Sequence, residues 1–122
     1  MTPKEIALTL AKIADAKKAE DIRVMDVVDL TVLADYFVIC TGTSAVHLRT
    51  LAEEMERELK ERGVLPHHIE GQRSGNWLLM DYAGVVVHLF LRDTRDFYAL
   101  ERLWSDAATV AYAPDELPAP EA

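Results

Sequence analysis

Two short apolar runs, Trp77 to Tyr82 and Val85 to Leu91, are separated only by Ala83-Gly84, and no other feature restricts the fold as much. Two such runs joined by a tight glycine-containing turn read as an antiparallel hairpin. Successive side chains of a strand point to opposite faces, so Val85, Val87, Leu89 and Leu91 form an all-aliphatic row that must meet a core. Leu78 and Met80 match that row on the neighbouring strand. The reverse side presents Val86, His88 and Phe90 beside Trp77, Leu79 and Asp81. An indole, an imidazole and a carboxylate among apolar side chains have the composition of a binding patch. Asp81 and His88 are costly to bury unpaired, so this face is read as an open binding surface rather than one covered by a helix.

The remaining elements assemble around that hairpin. Thr2-Pro3-Lys4-Glu5 carries a cap, a proline at the first helical position and the acid of a capping box. Ile6, Leu10, Ile13 and Ala14 follow on one helical face. Asp21 to Val28 and Asp35 to Cys40 read as strands, with 31–34 either a short helix or a loop. Thr43 or Ser44 caps a second helix whose apolar stripe is Leu48, Leu51, Ala52, Met55 and Leu59, and Gly63 stops it. A short strand is expected at His67 to Glu70, then a polar turn over 71–76. Asp93 or Thr94 is expected to cap a last helix through Trp104. On it Phe97, Leu100 and Trp104 dock on the core, with Arg95, Tyr98 and Glu101 to the side. The chain then stays helical or irregular to about Tyr112. The order predicts an α/β (α+β) fold, a mixed sheet with flanking helices, in one domain over 1–112 with a Pro-rich tail over 113–122.

The charge balance narrows the function. There are 21 Asp+Glu against 13 Lys+Arg, a net −8, which suits a basic protein partner better than nucleic acid. No apolar stretch approaches the ~20 residues of a membrane span, and nothing near the start reads as a targeting signal, so the expectation is a cytoplasmic protein. A single cysteine, Cys40, excludes an internal disulfide and sits in an apolar strand as a core residue. The histidines, His47, His67, His68 and His88, have no metal-ligand spacing, so no metal is expected. Gly42-Thr43-Ser44 lies between a strand and a helix, where backbone N–H groups could hold an anion. Two-metal phosphoryl chemistry needs paired carboxylates on one face, and Asp81 has only Ala83 two positions on. A helix cap without ligand is the simpler reading of the turn; residual nucleotide binding is the alternative. No catalytic residue is assigned, and the chain does not read as an enzyme.

Several segments together resemble the ribosomal silencing factor, or Iojap-like, family. They are 35–39 (DYFVI), 41–44 (TGTS), Glu70-Gly71, Gly75-Asn76-Trp77, Asp81-Tyr82, 85–90 (VVVHLF) and 95–104 (RDFYALERLW). The resemblance runs from about Ala7 to Asp106. Ala83-Gly84 stands where the family often has Gly-Asp, Ser105 where glycine is common, and the Pro-rich tail is an addition. The resemblance implies a nucleotidyltransferase-like fold without its catalytic carboxylates, and no cofactor. It also implies binding to the large ribosomal subunit through its protein number fourteen, so that joining of the small subunit is blocked and translation falls. A homodimer is implied as well. On this reading the partner-binding residues are Trp77, Asp81, His88, Phe90, Tyr98 and Glu101, with Arg95 and Trp104 as supports for the helix.

Overall fold

A computed structural model describes residues 1–71 and 75–111. Helix α1 (Pro3–Ala16) begins as its capping box requires. Glu5 N–H donates to Thr2 Oγ1 at 3.2 Å, and Thr2 N–H donates to Glu5 Oε1 at 2.9 Å. Strands β1 (Glu20–Asp26) and β2 (Tyr36–Gly42) follow, then helix α2 (Ala45–Glu61). Ser44 is the cap of α2, its hydroxyl accepting from His47 N–H at 3.0 Å. Strands β3 (His68–Glu70), β4 (Trp77–Tyr82) and β5 (Val85–Leu91) form an antiparallel meander. Two short helices, α3 (Arg92–Tyr98) and α4 (Leu100–Leu103), precede a two-residue strand β6 (Ala108–Thr109).

The sheet runs β3-β4-β5-β2-β1-β6. Its one parallel pair among the described residues, β2 with β5, sits at the centre, with Tyr36 opposite Val85 and Gly42 opposite Leu91. A parallel pair needs a crossover, and α2 with the meander supplies it. The β4–β5 turn ends at Gly84, whose φ of +77° is the left-handed conformation that a tight turn demands. A Cβ there would also lie 2.9 Å from the Pro3 ring. The Gly84 carbonyl accepts from the N–H groups of Asp35 and Tyr36, which pins the start of β2 to the hairpin.

α1 and α2 cover one side of the sheet. Ile6, Leu10 and Ile13 from α1 and Leu48, Leu51, Met55 and Leu59 from α2 pack on Val38, Cys40, Leu78, Met80, Val85, Val87 and Leu89. The aliphatic row of β5 therefore faces the core, as alternation required. Burial pushes the Cys40 thiol up to about 12 despite the nearby charge of Arg95, so it is an inert packing residue. The fold is the expected α+β arrangement, a six-stranded mixed sheet flanked by helices.

Segment 31–34, left open between a short helix and a loop, is a loop. Three local expectations need correction. The last helix starts at Arg92 with Leu91 at the cap position and no side-chain cap, while Asp93 lies in its first turn. It is also broken at Ala99, whose φ of 49° and ψ of 49° end α3 and open α4. The reading of 105–112 as helical or irregular missed β6, which pairs Thr109 with Met25 and Ala108 with Asp26. The middle of the polar turn, 72–74, and the tail from 112 onward lie outside the described residues.

Candidate functional site

The second side of the sheet is aromatic and only partly covered. Register places Trp77 opposite Phe90, Leu79 opposite His88, and Asp81 opposite Val86, which brings together the face deduced from alternation. Phe37 and Ile39 of β2 and Met25 of β1 continue it. Seven rings are in contact along it, from Trp104 through Phe37, His88, Phe90, Trp77 and Tyr98 to Phe97. The planes of Trp77, His88 and Phe90 are within 15° of parallel, with centroids 5.8–6.3 Å apart. Tyr98 lies 5.7 Å from Trp77, and Phe97 meets Tyr98 edge-on at 5.1 Å. Such arrangements hold large rings in place at little entropic cost.

This is where the open-surface expectation fails in part. Phe90 is 1 % exposed and His88 8 % exposed, so they form the floor of the face rather than its surface. Leu100 and Trp104 pack over the Phe37 and Phe90 end. Trp77, Leu79, Asp81 and Val86 remain half-buried along β4 and β5. A buried His88 imidazolium would need a partner. Instead burial drives its pKa down to about 4, the ring stays neutral, and Nδ1 has no hydrogen-bond partner.

Phe97 departs furthest from expectation. Helical spacing docks it on the core, yet it is 81 % exposed, while Arg95, which the same spacing sets to the side, is 2 % exposed. The break at Ala99 explains the reversal, because a continuous helix would have put Phe97, Leu100 and Trp104 on one face. Arg95 reaches inward and ties four elements. Its Nε donates to Glu101 Oε1 at 2.6 Å, and its Nη1 donates to Thr41 Oγ1 at 2.9 Å and to the Asp21 carbonyl at 2.5 Å. Nη2 lies 3.5 Å from the Asp21 carboxylate. Asp21 sits with φ +48° in a bulge of β1, so the guanidinium holds a strained residue as well as the α3–α4 corner. Burial opposes ionisation of Asp21 and Glu101. The charge of Arg95 on Asp21, and the backbone and Arg95 hydrogen bonds to Glu101, outweigh it, so both carboxyl pKa values are lowered. Tyr98, at 51 % exposed, is the ring that this corner presents beside Trp77.

The Gly42–Ser44 turn is occupied by the chain itself. Thr43 N–H donates to His47 Nδ1 at 2.9 Å, which leaves the ring proton on Nε2 to donate to the Lys17 carbonyl at 2.8 Å. The Thr43 N–H and the Ser44 hydroxyl of the turn are thus both engaged within the chain. Among the described residues no group of three or more His, Cys, Asp or Glu could hold a metal ion. No helix of the described residues is long and apolar enough to cross a membrane.

Comparison with known proteins places this architecture. The family model for ribosomal silencing factor during starvation matches residues 1–122. The chain belongs to the ribosomal silencing factor family. It is 39 % identical over 107 residues to the ribosomal silencing factor of Bacillus subtilis, spanning 88 % of this chain and 91 % of that one. A crystal structure of a Chromobacterium violaceum protein matches with a TM-score of 0.83 at 33 % identity, over 95 % of this chain and 100 % of that one. In the mouse, the mitochondrial assembly of ribosomal large subunit protein 1 is 37 % identical over 99 residues, which is 79 % of this chain and 43 % of that protein. The Bacillus subtilis and Halalkalibacterium halodurans relatives are both named as ribosomal silencing factors.

Proposed function

We propose that this silencing-factor chain docks on the large ribosomal subunit through its protein number fourteen. It occupies the face where the small subunit joins and so lowers translation by steric competition in the cytoplasm. The observation that carries the reading is the half-covered aromatic face. Trp77 and Tyr98 stand in contact at its open edge, next to the 81 % exposed Phe97. Large rigid aromatics at the centre of a patch are the usual hot spots of protein interfaces. The net charge of −8 favours a basic ribosomal protein over ribosomal RNA. The mouse relative's name, which refers to a ribosomal large subunit, supports the same particle.

The placement of the candidate residues supports a role for each in this reading. Trp77 and Tyr98 touch the partner, and Asp81 offers a carboxylate at the rim. His88 and Phe90 keep the Trp77 plane in position from below. Arg95 and Glu101 set the corner that presents Tyr98, and Trp104 braces it against Phe37. A homodimer would bury the same edge and compete with docking.

Co-sedimentation with purified large subunits tests this. Trp77→Ala and Tyr98→Ala should each weaken binding by about 2 kcal/mol, with thermal midpoints measured to verify that each variant remains folded. A folded double variant that sediments with large subunits as the parent does would rule the patch out. Sizing over a range of concentrations shows whether a dimer hides it.

A further inference from the structure

The loop between β1 and β2 is apolar on its outside, and none of the described residues covers it. Val27 and Ala34 are buried at its neck, whereas Val28, Leu30, Val32 and Leu33 are exposed, Val32 completely. The segment is ordered by its own hydrogen bonds. Val27 N–H donates to the Asp35 carbonyl at 2.9 Å and closes the neck, and Leu30 N–H donates back to the Val27 carbonyl at 3.0 Å. Asp26 Oδ1 accepts from Val28 N–H at 3.1 Å, and Thr31 Oγ1 accepts from Leu33 N–H at 3.1 Å. Apolar side chains held outward on a closed loop have already lost much of the freedom that docking would cost.

The charge carried by this segment is of one sign. Between Arg23 and Arg49 the sequence has no Lys or Arg, while Asp26, Asp29 and Asp35 flank the loop. Asp26 lies opposite Tyr36 in the β1–β2 register, with Asp35 next to it in the chain. The Tyr36 hydroxyl is held above its ordinary pKa by burial and then by the charges of Asp26 and Asp35, which places both carboxylates near it. An acidic collar repels RNA and anionic lipid, and a tip-to-tip contact between copies would set like collars against each other. It complements a protein pocket with a Lys- or Arg-bearing rim.

We propose that the 27–35 loop is a second docking element, seating its apolar tip in an apolar pocket on a basic protein of the large ribosomal subunit. It stands at the opposite end of the strands from Trp77, about 17 Å away along β5, so it makes a contact separate from the aromatic edge. It rests on the proposed function only for the particle that carries the pocket.

The test is equilibrium co-sedimentation with purified large subunits, comparing a Val32→Ser/Leu33→Ser double variant, Asp29→Asn and Trp77→Ala with the parent chain. All the substituted loop side chains are exposed, and thermal midpoints verify that the fold is kept. The double variant should bind about tenfold more weakly or worse, and Asp29→Asn should weaken binding less while flattening its salt dependence. If the double variant binds as the parent while Trp77→Ala does not, the loop proposal falls and the aromatic-edge reading stands. The reverse pattern keeps the loop and removes the aromatic edge. Absence of co-sedimentation by the parent chain overturns both. A double variant that loses a dimer seen for the parent on sizing assigns the loop to a second copy instead.

Discussion

His88 sits among Phe37, Trp77 and Phe90 with its charge suppressed, and this has a measurable cost in acid. Its folded pKa of about 4 lies below the unfolded value of 6.5, so on acidification the unfolded chain takes up its proton first. Stability therefore declines as pH falls from about 6.5 to about 4, by up to ~3 kcal/mol from this residue. Asp21 and Glu101 act in a lower window. Their depressed pKa values stabilise the fold above the unfolded carboxyl range, and that contribution is lost below it. Urea midpoints measured against pH should thus fall in two steps for the parent chain, and His88→Leu should remove the upper one. Arg95→Met should cost about 3 kcal/mol, because it leaves Glu101 and the Asp21 carbonyl without their donor. The face to which His88 belongs was legible from alternation alone. Its burial was not, because the period of a strand says which residues share a side and nothing about what lies over that side.

At the scale of elements, boundaries were readable wherever a side chain makes the boundary. The Thr2–Glu5 box and the Ser44 cap are local chemistry, and both form as the sequence implies. Thr2→Ala should lower stability by about 1 kcal/mol in chemical denaturation. The α3–α4 corner has no such local signature. Ala99 is an ordinary helix former, and it adopts φ 49° because Arg95, buried between β1 and β2, draws Glu101 toward it. Tertiary contact overrides propensity there, which is why the apolar spacing of Phe97, Leu100 and Trp104 misled. Ala99→Gly should stabilise the fold by about 0.5 kcal/mol, since glycine relieves the left-handed strain at some cost in unfolded-state entropy. A loss of stability instead would show that Ala99 packs more than it strains.

For the whole molecule the deciding quantities are charge and edges. With 21 acidic against 13 basic side chains, association with a basic surface should weaken as ionic strength rises, and the slope of affinity against salt measures how much of the docking is electrostatic. Among the described residues neither flank of the sheet offers a long free strand. β3 has three residues, β6 has two, and the uncovered part of β1 is kinked by the bulge at Asp21 and carries Glu20 and Arg23. Fibre growth and strand donation both require a straight row of idle amides, and short or kinked borders withhold it. Strand addition is closed to this protein at both borders of the described sheet: copies can be crowded together without one sheet being lengthened by a neighbour's.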